Sequence, residues 1–127
     1  MIEYDSYGPE KVLEVYHPKS GMRGFVVIDS TALGPAKGGV RMTPTVTPHE
    51  VSRLARAMTW KNALADLPFG GGKGGIIGND KDMSPEEKAE FVKAFAEGLK
   101  VICPEHYVSA PDMNMAESEM KIIAETI

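Results

Sequence analysis

Eight of the 13 glycines in this 127-residue chain fall between Gly34 and Gly75. They form two knots: Gly34, Gly38 and Gly39, then Gly70, Gly71, Gly72, Gly74 and Gly75. Glycine loses more freedom on ordering than any other residue, so such knots mark strained turns or close backbone approach to a ligand. Each knot holds one lysine, Lys37 or Lys73. The second knot matches G-x-G-x-x-G through Gly70, Gly72 and Gly75. A dinucleotide fingerprint, however, leaves a strand and opens a helix. Here a helical pattern comes first and an apolar, strand-like run follows, so the nucleotide-binding reading is set aside. Gly74 follows Lys73 where a P-loop requires Ser or Thr, which excludes that motif as well.

The elements around the knots are legible. Residues 11–17 (KVLEVYH) and 22–29 (MRGFVVID), separated by Pro18-Lys19-Ser20-Gly21, predict a hairpin. A short third strand is expected near Val40–Met42. Thr47-Pro48-His49-Glu50 predicts a helix start, with Thr47 as N-cap, Pro48 in the first turn and Glu50 closing a capping box. Its apolar-leaning face runs through Val51, Leu54, Ala55, Met58, Asn62 and Ala65, and Pro68 ends it. Residues 73–78 read as a short buried strand. Ser84-Pro85-Glu86-Glu87 opens a second helix whose buried face carries Val92, Phe95, Ala96, Leu99 and Ile102, closed by Pro104. His106–Ser109 reads as a strand, and Asn114-Met115-Ala116-Glu117 opens a third helix. The pattern predicts an α/β fold: a mixed, largely parallel sheet with an N-terminal hairpin and flanking helices.

A net charge of −4 and the lack of any basic cluster argue against nucleic acid or an anionic membrane as partner. A single cysteine, Cys103, cannot form an internal disulfide, which fits a reducing, cytoplasmic setting. No signal peptide or membrane span is visible.

Two residues outside the glycine knots complete a candidate site. At about 100° per residue, Lys61 falls about 20° from Leu54 and about 60° from Met58, so its stem is expected to point inward. The alternative is that Lys61 snorkels, burying its methylenes and sending its ammonium to water. Asp112 lies between a predicted strand and a helix, where α/β sites form. It is equally readable as a helix-start acid favoured by the macrodipole.

Four stretches resemble the Glu/Leu/Phe/Val dehydrogenase family in order and spacing: Gly34-Pro35-Ala36-Lys37-Gly38-Gly39-Val40-Arg41, Met58-Thr59-Trp60-Lys61-Asn62-Ala63, Pro68 to Ile76, and Ala110-Pro111-Asp112. The resemblance implies that Lys73 is the catalytic lysine, polarising the substrate carbon and activating the water that attacks the imine. It implies that Asp112 shuttles a proton to and from the amino group. Lys61 would hold the substrate α-carboxylate and Lys37 a side-chain carboxylate, with Gly38, Gly39, Met58 and Gly72 lining the substrate position. The small-molecule partner is then an amino acid or 2-oxo acid, and a homo-oligomer is expected.

Leucine-type members carry an apolar residue where Lys37 stands, so the resemblance favours glutamate. The short N-terminal segment looks more like the leucine-type branch, which keeps branched-chain or aromatic substrates open. With no strand–GxGxxG–helix unit among residues 1–127, these are expected to form a substrate-binding and oligomerisation domain without the Rossmann domain. NAD or NADP would then be bound mainly by that other domain, and not tightly by this chain. On that expectation this chain alone does not complete hydride transfer. The competing reading is a standalone oligomerisation or regulatory module without catalysis.

Overall fold

Met22–Ser30 is apolar along most of its length and becomes a strand covered on both faces, β2. It pairs antiparallel with Lys11–His17, β1, from Lys11 opposite Ile28 to His17 opposite Met22. The hairpin turn closes through Gly21, whose φ of 78° suits glycine, and through a 2.7 Å bond between His17 Nδ1 and Ser20 Oγ. In this computed structural model, which describes residues 1–127, five strands form one sheet in the order β1-β2-β4-β3-β5. β3 is Ala36–Thr43, β4 Gly70–Ile77 and β5 Tyr107–Ala110. The strands β3, β4 and β5 run parallel, while β2 is antiparallel to both β1 and β4. The fold is therefore mixed α/β, with the hairpin on one flank.

Both glycine-bearing strands are longer than the sequence pattern predicts. Glycine has no intrinsic strand preference, so nothing local announces Ala36–Gly39 or Gly70–Gly72 as strand. Tertiary packing decides it instead.

α1 (Pro48–Leu64) lies on one face of the sheet, over β2 and β4. α2 (Pro85–Leu99) and α3 (Glu117–Thr126) lie on the other. Under α2, the Phe95 ring fills a notch left by Gly24 and Gly74 and joins Met22, Val26, Ile28, Val40 and Ile76 in the larger core. Burial of such a ring contributes roughly 1.5–3 kcal/mol. Under α1, Val27, Val46, Val51 and Ala55 form a smaller core.

Three local expectations change. Thr47 Oγ1 accepts from the Glu50 N–H at 3.1 Å, but the Glu50 side chain does not return to the N-cap. It goes to Arg41 on β3 instead, at 3.4 Å, because an opposite charge outcompetes a neutral backbone N–H. α2 carries the complete box between Ser84 and Glu87 but ends at Leu99, so Ile102 is buried from the turn that follows. α3 begins at Glu117 instead of Asn114, because Asp112 and Met115 first close a tight bridge with Asn114 at φ 61°.

The N-terminal residues are strapped over α1. Arg56 donates to both oxygens of Asp5, at 2.8 and 2.9 Å, and through Nε to Asp29 at 2.8 Å. Thr59 Oγ1 donates to the same Asp29 oxygen at 2.6 Å. Tyr7 meets Trp60 edge-on, with ring centroids 5.5 Å apart. No helix is long and apolar enough to cross a membrane.

Candidate active site

Because α1 sits over β2 and β4, it touches β3 only at its margin. Lys73 in the middle of β4 is buried to 8% exposure, opposite Val27 of β2. Its Nζ stands 3.3 Å from Asp112 Oδ2. Arg41, from β3, donates through Nε to that same oxygen at 2.8 Å. A carboxylate thus meets two cations delivered by adjacent parallel strands.

Asp112 is held there by its loop. Its backbone exchanges both hydrogen bonds with Met115, Met42 N–H donates to Met113 O at 3.0 Å, and Asn114 Nδ2 donates to Met42 O at 2.9 Å. Lys88 of α2 donates to Asn114 O at 2.6 Å and is itself flanked by Asp80 and Glu119. Asn is one of the few residues that takes a positive φ readily, which lets the loop reverse so tightly. Partial burial pushes the Asp112 carboxyl upward. The Arg41 hydrogen bond and the Lys73 and Arg41 charges outweigh that and hold it below its ordinary value.

The glycines make room for protein atoms, which explains both knots. A Cβ on Gly38 would run into Gly72 O and approach Met58 Cγ. One on Gly39 would sit 2.7 Å from Pro111 O and 2.8 Å from Asp112 Cβ. One on Gly72 would press on Ala36 and on the Tyr107 ring, whose hydroxyl donates to Gly38 O at 2.8 Å. Gly39 thus lets the Asp112 loop close onto β3, and Gly38 lets β3 and Met58 of α1 approach β4.

The remaining lysines are placed differently. Lys37, half-buried, has its Nζ 4.9 Å from the Phe69 ring centroid and makes no ion pair. Lys61 is exposed, which overturns the inward orientation. The buried face of α1 is Val51, Ser52, Ala55 and Asn62. At 3.6 residues per turn Lys61 lies about 120° from the centre of that face. Leu54 and Met58, used to place it, are themselves only half-buried, at the margin. Asn62 holds the centre, donating to Gly70 O at 2.7 Å.

Arg41 is the residue the sequence pattern left without a role. Its partner Asp112 is 71 positions away, and a single arginine near a strand end carries no signal of that pairing.

Residues 9–127 match the pattern of the Glu/Leu/Phe/Val dehydrogenase dimerisation domain. The chain belongs to this family. It is similar to glutamate dehydrogenase A2 of Halobacterium salinarum, 44% identical over 126 residues, covering 93% of this chain and 30% of the relative. Among solved structures it is similar to the hetero-hexameric glutamate dehydrogenase of Thermus thermophilus in a Leu-bound form, with TM-score 0.84 and 35% identity over 93% of this chain and 30% of that one. The L-tryptophan dehydrogenase of Nostoc punctiforme gives TM-score 0.80 at 26% identity, over 92% of this chain and 35% of that one. The chain therefore spans about a third of these relatives' length or less.

Dehydrogenases of this kind imply a nicotinamide cofactor, and the glycine knot at Gly70–Gly75 does not fit it. Those glycines lie inside β4, their Cβ directions are filled by Ser30, Thr59, Tyr107, Val40 and Val46, and no helix starts from them. The dinucleotide pattern is met in letters and not in structure.

Proposed function

We propose that this chain is the substrate-binding and proton-transferring part of an amino-acid dehydrogenase acting on L-glutamate, in reversible oxidative deamination to 2-oxoglutarate and ammonia. The observation that carries the reading is the Lys73–Asp112 pair at 3.3 Å, a cation and a carboxylate largely sheltered from water. In this reading the Lys73 ammonium polarises the substrate carbon and assists the attacking water, while Asp112 takes a proton from the amino group and returns it. Lys61 and Lys37 hold the two carboxylates of the substrate; neither is tied to a carboxylate of the protein. Gly38, Gly39 and Gly72 serve the substrate position indirectly, by letting Met58, the Asp112 loop and Tyr107 close around it. NAD or NADP, held mainly by residues outside 1–127, supplies the hydride acceptor.

Glutamate dehydrogenase relatives and the cationic Lys37 both favour a dicarboxylate over an aliphatic or aromatic amino acid. The chain is proposed to work as a homo-oligomer. β1 leaves one edge unpaired, with Val12 and Tyr16 exposed beside it, and an unpaired edge is a natural template for a second copy.

The test is binding. Millimolar 2-oxoglutarate or glutamate is expected to shift amide resonances of β3, β4 and the Asp112 loop, and Lys61→Ala to abolish the response. No response to either compound would overturn the reading.

A further inference from the structure

Asp112 Oδ2 is doubly engaged, by Arg41 Nε at 2.8 Å and Lys73 Nζ at 3.3 Å, and no hydrogen bond within the chain goes to Oδ1. Arg41 is anchored on its far side by Glu50 at 3.4 Å, and its side chain is 17% exposed. A guanidinium spans two carboxylates in fixed geometry through separate nitrogens, which an ammonium does not reproduce. The line Glu50–Arg41–Asp112–Lys73 thus runs from the first turn of α1 through β3 to the middle of β4.

We propose that Arg41 is the positioning residue for Asp112: by sharing Oδ2 with Lys73, it leaves Oδ1 as the oxygen that exchanges a proton with the amino group of a bound substrate. The proton leaves the substrate ammonium, the Oδ1–H bond forms, and a neutral amine and a neutral carboxylic acid result. The return step reverses this. Glu50, diverted from its own helix cap, sets the orientation of Arg41. The use made of the proton rests on the proposed function; the state of Asp112 does not.

The charged groups facing Asp112 are Arg41 from β3 and Lys73 from β4, with Glu50 of α1 acting through Arg41; the Tyr107 hydroxyl of β5 donates to Gly38 O instead. Removing Arg41 takes away a hydrogen bond and a positive charge and leaves partial burial opposed by Lys73 alone. The carboxyl should then titrate at higher pH.

The experiment is a pH titration of the aspartate side-chain carbonyl carbons by NMR, without ligand, in the 127-residue chain. Arg41→Met is expected to move the Asp112 midpoint up. Arg41→Lys, which keeps the charge and loses the planar donor geometry, should raise the midpoint by less. Lys37→Met, on the same strand, should leave it in place. Should Arg41→Met fail to fold, Arg41→Lys decides the matter. An Asp112 midpoint unmoved by Arg41→Met, or by Arg41→Lys where Arg41→Met does not fold, overturns the proposal, as does an equal rise in Lys37→Met. The titration needs no substrate, so it decides Arg41's role even where 2-oxoglutarate fails to bind.

Discussion

Thr59 of α1 lies so close over Gly71 of β4 that a Cβ on the glycine would strike the threonine's backbone nitrogen and hydroxyl oxygen. Helix and strand can be this close only because one of them has no side chain at the crossing. Gly71→Ala is therefore expected to lose about 2 kcal/mol or more, read from urea unfolding, because α1 must lift from the sheet. Gly21→Ala, in open space at φ 78°, should cost only about 1 kcal/mol for its left-handed backbone. Equal losses at the two positions would contradict the packing account.

Asp29 is fully buried, and its Oδ1 has no partner, so its charge depends on Arg56 and Thr59 at Oδ2. Arg56→Met should cost roughly 3 kcal/mol, because it leaves a buried carboxylate without its counter-ion. The same change frees Asp5 and the N-terminal strap. Hydrogen exchange at Tyr7 and Gly8, whose N–H groups donate to Asp5, should accelerate well before the sheet itself opens. Unchanged protection there would show that the strap is held by Tyr7 and Trp60 instead.

The Asp112 carboxyl sits below its ordinary value in the folded chain. A depressed carboxyl contributes stability that is present above its unfolded value, about 3.9, and is lost as pH falls through the folded value. Stability should thus fall with acidification below about pH 4. The part belonging to Asp112 should vanish in Asp112→Asn, leaving a shallower dependence of the unfolding midpoint on pH.

Burial pushes the Cys103 thiol up to about 11. At pH 8 the thiolate is then a small fraction, so iodoacetamide should label Cys103 far more slowly in the folded chain than in urea. Equal rates would mean that the turn after α2 opens freely.

The starts of α1 and α2 and the hairpin are legible in the sequence because they are local, whereas the start of α3 waits on the bridge between Asp112 and Met115. Thr47 and Ser84 each bind a backbone N–H three residues on, and the hairpin turn closes within His17–Gly21. Lys73 and Asp112 were also legible as candidates, since their neighbours carry a family pattern. The exposure of Lys61 is not legible, because Leu54 and Met58 lie at the margin of the buried face and only the sheet beneath α1 reveals that Asn62 holds the centre.

From the amino acids alone come the element types, the two glycine knots and the chemistry on offer, lysines and an aspartate. Capping, chain reversal and periodicity act over a few residues, so they can be read without knowing the fold. The strand order β1-β2-β4-β3-β5 decided the rest, by placing β3 between β4 and β5. That order brings Arg41, Lys73 and Asp112 to one carboxylate oxygen and turns glycines that suggested a ligand cradle into clearance for α1 and the Asp112 loop. Contacts between residues far apart in the chain depend on which strands become neighbours, and no local preference encodes that choice.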